Sequence, residues 1–319
     1  MGSLAIERLD APARALAARS WAWRAGEKTD AALLIGSPTD EALVLGAFQR
    51  ASEVGSFTGA GRDLPVLRRG SGGGAARVGC GTVWLQLALA RPDALVACTP
   101  DKLLNRYVRP LLRAITKVTS TQASYFARDW ISVAHRPVAL VAFAHEARTN
   151  AALVEAIIAV STPFAGERRR SFLDKTPATL EEIGGKAIDR ARLVDLIADA
   201  YRGIAASAVD MHAVEPAPLA PELDRSEPAW TAIRDEAIGI VAAGRDASGK
   251  LRVGGELMAS SDAIGRLEDG IASLPGNASE ETIGRIVDEA LAARNAITFG
   301  VRTLTSIRDV ILEARCAEA

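Results

Sequence analysis

The chain is poor in the residues that chemistry most often recruits: its 319 residues include three cysteines, three histidines and six lysines. Cys80, Cys98 and Cys316 are odd in number and far apart, with no C-x-x-C spacing, so neither a disulfide framework nor a zinc site is indicated. His135 and His145 fall at opposite ends of one predicted strand and His212 beside a proline-rich stretch, so no metal site is expected. The N-terminus carries acids and lacks the apolar block of a secretion signal; with the cysteine usage, this fits a reducing cytoplasm. Long apolar runs are missing too. VALVAFA, residues 138–144, is far shorter than the roughly 20 residues of a membrane span, and no membrane partner is expected. Nor does one sign of charge dominate. With 38 basic and 39 acidic residues the formal net charge is -1, which gives no support to a nucleic-acid partner.

What is present describes a globular protein: 49% of residues are hydrophobic and 24% charged. At roughly 150 residues per domain the length favours two. Pro216, Pro218, Pro221 and Pro228 disfavour both helix interior and central strand, so residues 214–229 are expected to link residues 1–213 to residues 230–319.

Apolar patterning sets out the elements. Residues 11–25 read as an opening helix, and residues 31–36, 42–46 and 64–68 as short strands bounded by turn formers. TVWLQLALA, residues 82–90, puts Val83, Leu85, Leu87 and Leu89 on one face, the alternation of a half-buried strand. Residues 100–117 space Leu103, Leu104, Tyr107, Val108, Leu111, Leu112 and Ile115 as a helix that Pro110 would kink or divide. Strands are predicted at residues 130–133, 137–144 and 152–160, the last two joined by a turn at residues 145–150. A helix capped by Asp189 follows, then strands at residues 238–244 and 250–257. Helices at residues 261–273, 279–294 and 303–314 complete the chain, with Ser279 as an N-cap.

The sequence is most unusual at RRGSGGGAA, residues 68–76, directly after the strand at residues 64–68. Three consecutive glycines remove side chains where something must approach the main chain closely. Taken alone they more often form a flexible turn than a site. No G-x-G-x-x-G opens a helix and no G-K-(S/T) follows, so the loop is neither a dinucleotide fingerprint nor a P-loop. A strand follows it, so a bound anion would rest on loop amides rather than on a helix N-terminus.

PVLRRGSGGGAARVGCGTVWLQLAL, residues 65–89, resembles the RR-x-x-GGGAV segment of lipoate–protein ligases, members of the biotin and lipoate ligase superfamily. EALVLGAFQRASEV, residues 41–54, is similar to the strand and G-x-x-Q element before that loop, and residues 128–160 to the central hairpin. Residues 249–274 resemble the accessory C-terminal domain, where a strand pair leads into a helix bearing I-x-x-L-E. The resemblance implies an α/β (α+β) fold: a mostly antiparallel sheet flanked by helices, followed by a small α/β accessory domain. It also implies chemistry: lipoate and ATP, with Mg, give lipoyl-AMP, and the acyl group then passes to a lysine of a carrier domain. By the same resemblance the amides of Gly72, Gly73 and Gly74 would lie along the acyl phosphate, with Arg68 and Ala75 beside them. Arg69 would face phosphate or carboxylate oxygen, which its planar fork suits, and Ser71 would fix the turn. Gly81 is the glycine kept from the family's H-D-x-G-N.

One departure bears on all of this. The family carries a lysine in R-K-(I/V)-(A/S)-G, whereas this chain reads HRPVALV at residues 135–141, so that position holds Pro137 or, with a one-residue shift, Arg136. Proline supplies no cation, and arginine is longer and planar. Lys28, Lys102, Lys186 and Lys250 lie off the hairpin. Lys117 and Lys175 could approach it, though solvated positions suit them better. Cys80 could serve as an acyl acceptor if Arg77 lowered its pKa, but a buried structural cysteine is the commoner role. The three arginines at residues 168–170 could hold a phosphate or an acidic carrier domain, or simply be solvated. Three readings follow: a divergent ligase acting on a lipoate-like acid through Arg69 and Arg136; a non-catalytic homologue that binds an acyl ligand, acyl-AMP or a partner protein; and a thioester acyltransferase using Cys80.

Overall fold

The computed structural model describes residues 2–22, 30–52, 63–165, 172–211 and 219–317. Lys28, the arginines at residues 168–170 and His212 lie outside the described residues.

The chain opens on a strand that the sequence reading left unassigned, β1 (Ser3–Ala11), and only then forms α1 (Ala13–Ala22). β2 (Ala31–Pro38) lies parallel to β1, and three short strands follow: β3 (Ala42–Leu45), β4 (Val66–Arg68) and β5 (Ala76–Val78). After β6 (Thr82–Leu89) comes α2 (Leu103–Thr119), which a buried Pro110 does not divide. The antiparallel strands β7 (Ala123–Tyr125), β8 (Trp130–Val133), β9 (Arg136–His145) and β10 (Ala152–Ala159) come next. Helices α3 (Leu180–Gly184) and α4 (Arg190–Arg202) and strand β11 (Ser207–Met211) complete this part.

Eight strands form the main sheet in the order β11-β1-β2-β6-β10-β9-β8-β7. Only the β11–β1 and β1–β2 ladders are parallel; the others are antiparallel. The predicted face of β6 (Val83, Leu85, Leu87 and Leu89) packs in one core with α2 and α4, but Trp84 on its other face is equally buried. The strand is therefore buried on both faces. Its second cover consists of α1, the small sheet β4-β3-β5 and Phe164 and Phe172, none of which its own alternation encodes.

Residues 219–229 are irregular and lie against the first part: Leu223 donates its amide to the Val66 carbonyl at 2.8 Å, and Ala220 donates to that of Arg14 at 3.1 Å. Then β12 (Ala232–Glu236), β13 (Gly239–Arg245) and β14 (Leu251–Gly255) form an antiparallel sheet. With α5 (Ser261–Ala272), α6 (Glu280–Leu291) and α7 (Leu304–Cys316) it encloses its own apolar cluster. A short pair, β15 (Met258–Ala259) and β16 (Thr298–Phe299), leaves that cluster to reach the large core, where Phe299 meets Phe143 edge-on at 6.3 Å.

Candidate functional site

The glycine loop has a topological task. β4 and β5 flank β3, so the chain between them must cross the end of β3. It does so at contact distance: Arg69 donates its amide to the Leu45 carbonyl at 3.0 Å, and a Cβ on Gly46 would lie 2.0 Å from the Gly73 oxygen.

Arg69 is the hub of the crossing and fully buried. Its Nε donates to Ser71 Oγ at 3.0 Å, its Nη1 to the Val44 carbonyl at 3.3 Å, and its Nη2 to the carbonyls of Gly72 and Gly74 at 2.6 and 2.8 Å. The loop's own carbonyls thus coordinate the guanidinium. The charge of Glu155, an acid inside the apolar run of β10, acts on it across the loop without an ion-pair contact. Glu155 Oε2 accepts the Ser71 amide at 3.0 Å, and Oε1 accepts Ser20 Oγ at 2.9 Å and Trp84 Nε1 at 2.8 Å. Ser20 Oγ also accepts the Gly70 amide at 2.6 Å. Burial raises the Glu155 pKa, and the charge of Arg69 and these hydrogen bonds oppose that rise.

Two of the three glycine amides meet main chain. Gly72 donates to the Phe143 carbonyl on β9 at 3.0 Å, and Gly73, at φ +81°, donates to the Leu257 carbonyl just before β15 at 3.1 Å. A Cβ on Gly72 would lie 2.4 Å from that same Leu257 oxygen. Residues 69–76 are all buried. The triple glycine therefore admits close approach, and within this fold the group that approaches is the protein's own backbone.

The other candidate positions are spread out. Ala75 packs in the small cluster with Leu43 and Val66. Arg68 turns from the loop, donating to the Gln49 carbonyl at 2.7 Å and lying 3.4 Å from Glu227. Gly81 sits in the turn before β6, where a Cβ would lie 2.2 Å from Thr162 Oγ1. Arg136 starts β9 beside a turn in which Ala134 and His135 both have positive φ, and it donates to the Pro177 carbonyl at 2.9 Å and to Glu182 at 3.0 Å. Gly73 approaches Ala142, six residues along the strand from Arg136, or about 20 Å at the usual rise. The structure therefore brings Arg69, Ser71 and Gly72–Gly74 together and leaves Arg136 and Pro137 apart from them. Cys80 is exposed, its thiol 3.3 Å from the Thr39 carbonyl, and Arg77 pairs with Glu41 at 2.7 Å.

Sequence reasoning missed Ser20, Trp84, Glu155 and Leu257. Of these only Glu155 leaves a local signal, a lone carboxylate in ALVEAIIAV. His145, at the opposite end of β9 from His135, is buried, with Nδ1 2.9 Å from Ser260 Oγ and Nε2 3.1 Å from Asn150 Oδ1. Among the described residues no group of three or more His, Cys, Asp or Glu side chains could hold a metal ion. No helix among them is long and apolar enough to cross a membrane.

Solved structures share this architecture. LipL1 of P. falciparum, solved in complex with lipoate, superposes with a TM-score of 0.59 at 12% identity, over 98% of this chain and 100% of that one. A bi-partite lipoate protein ligase from Thermoplasma acidophilum matches at 0.49 and 15% identity, over 67% of this chain and 88% of its own. A biotin protein ligase from Leishmania major in complex with biotin matches at 0.37 and 14%, over 78% and 97%. No protein-family model matches the sequence, and no curated protein matches it.

Proposed function

We propose that this chain is a non-adenylating protein built on the lipoate-ligase fold, which binds a partner rather than activating an acid. One observation carries the reading: the amides of Gly72 and Gly73, which would have to cradle an acyl phosphate, donate to the carbonyls of Phe143 and Leu257. Oxyanion stabilisation needs donors aimed at the developing charge, and here those donors and the Arg69 fork are directed at the protein's own oxygens. ATP, Mg and a lipoate-like acid do not fit the loop as folded, so no step is derived through them. In this reading residues 1–213 are the ligase-like unit, residues 214–229 the tether, and residues 230–319 the accessory unit that supplies the Leu257 carbonyl.

A second reading keeps the enzyme: a divergent ligase that binds a lipoate-like acid or its adenylate and passes the acyl group to a carrier-domain lysine. It is favoured by the single main-chain hydrogen bond through which Leu257 covers Gly73. Withdrawal of residues 257–258 would free that amide.

ATP–pyrophosphate exchange with Mg and lipoate, octanoate or biotin separates the two. The expected result is exchange no faster than in the acid-free blank for all three acids. Acid-dependent exchange by the wild-type protein would overturn the first reading and establish the second. Calorimetry with preformed lipoyl-AMP should likewise show no saturable heat.

A further inference from the structure

Arg106, Arg109, Arg113 and Lys117 recur along α2 at three- and four-residue spacing and so share one face of the helix. α2 contains no acidic residue. Among the described residues no carboxylate pairs with Arg113 or Lys117, whereas Arg77, Arg136, Arg202 and Arg252 each hold one. Arg113 and Lys117, with Leu112, Thr116, Gln122 and Ala123, line an open groove of about 630 Å³ between α2 and β7.

Among the described residues β7 is the outermost strand of the main sheet and pairs only with β8. The Ala123 amide is turned toward α2, donating to Thr116 Oγ1 at 3.0 Å. Main-chain groups alternate sides along an antiparallel strand, so those of Tyr125 point outward from the sheet edge as well. Phe126 follows directly with 61% of its surface exposed, and Ala127, at φ +53°, ends the strand.

We propose that the β7 edge and this groove dock an extended acidic segment of another protein. The segment adds a strand to the sheet, sets carboxylates on Arg113 and Lys117, and packs an apolar side chain on Phe126. The open main-chain groups call for a polypeptide, since phosphates would meet the cations and leave the edge unpaired. The two cations call for acid. A second copy joined edge to edge would set the same cations against each other, which like-charge repulsion disfavours. The site is separate from the glycine loop and stands whether or not the chain adenylates an acid.

The test uses the full chain and a fluorescein-labelled, capped octapeptide of alternating glutamate and valine, followed by anisotropy. Binding should saturate, weaken as salt rises, and fall at least about tenfold with Arg113→Glu plus Lys117→Glu. Methylation of alternate peptide amides should weaken it as much. Both substituted positions are exposed, and an unchanged melting curve excludes misfolding as the cause. Failure to bind, binding indifferent to the charge reversal, or binding indifferent to methylation would each overturn the proposal. So would tighter binding of a single-stranded oligonucleotide to the same cations, or self-association abolished by the same double variant.

Discussion

Gly73 donates its amide to the carbonyl of Leu257 at 3.1 Å, joining two residues that lie far apart in sequence through main-chain atoms alone. The glycines of this loop are sized for that approach. A methyl group on Gly72 would meet the Leu257 oxygen at 2.4 Å and Met258 Cα at 3.0 Å, neither of which is the end of a flexible side chain. Gly72→Ala should therefore destabilise the protein by about 1–3 kcal/mol. Gly265→Ala in α5, where an added carbon meets nothing within 4 Å, should instead stabilise it. The expected gain, from backbone entropy, is about 0.5–1 kcal/mol. Urea denaturation of the two variants side by side checks both signs.

The Arg69–Glu155 relationship makes a second prediction. Both are buried and each satisfies several hydrogen-bond partners in the loop, so Arg69→Met and Glu155→Gln, which leave those partners unmet, should each cost about 1–3 kcal/mol. The double variant should lose clearly less than the sum, and a double-mutant cycle reads that coupling. pH adds an independent check. Because burial raises the Glu155 pKa above 4.5, the folded state holds that proton more tightly than the unfolded chain. Its contribution to stability is lost as pH rises from 4.5 through the raised folded value. Denaturation of Glu155→Gln across that window should lack this slope.

His145 titrates with the opposite consequence. Burial lowers its pKa below 6.5, against the Asn150 hydrogen bond and the charge of Asp262. Asn150 Oδ1 only accepts, so the ring proton of the neutral imidazole sits on Nε2 and Nδ1 accepts from Ser260 Oγ, which itself accepts the Ile297 amide at 2.9 Å. The unfolded chain therefore takes up a proton before the folded one. Stability should fall as pH drops below about 6.5, by at most about 1.4 kcal/mol per pH unit, down to the lowered folded value. His145→Gln should flatten this limb in a pH series of melting temperatures.

Arg50 makes a fourth. Its guanidinium donates to the carbonyls of Pro228, Ala229 and Gly244 at 2.8, 3.0 and 2.8 Å and lies 3.7 Å above the Trp230 ring. Lysine keeps the charge but not the planar fork, so Arg50→Lys should cost about 1–3 kcal/mol. A chemical denaturation midpoint equal to wild type would show that charge alone holds residues 228–230 in place.

The elements whose apolar residues repeat along their own length were legible. β2, β6, β8, β9, β10, α2, α4 and the three C-terminal helices lie where apolar runs and spacing put them, and Asp189 and Ser279 accept the amides of Arg192 and Thr282 as N-caps should. β1 escaped because LAIERLDA mixes charges into a strand that two parallel neighbours cover. β7, β15 and β16 are too short to carry a pattern. Of the site, the clustering of Arg69 and Ser71 with the glycines could be read from adjacency. Glu155 could have been suspected from its apolar neighbours; Ser20 and Leu257 could not.

By itself the sequence determined where the longer, patterned helices and strands form and that residues 72–74 must accept a close neighbour, because patterning and a missing Cβ are local properties of the chain. Only the tertiary structure decided which neighbour that is, where the Arg69 fork points, and that no carboxylate among the described residues reaches Arg113 or Lys117. Those outcomes depend on which distant segments meet, and a hydrogen bond between main-chain atoms leaves no mark on the side chains that a sequence records.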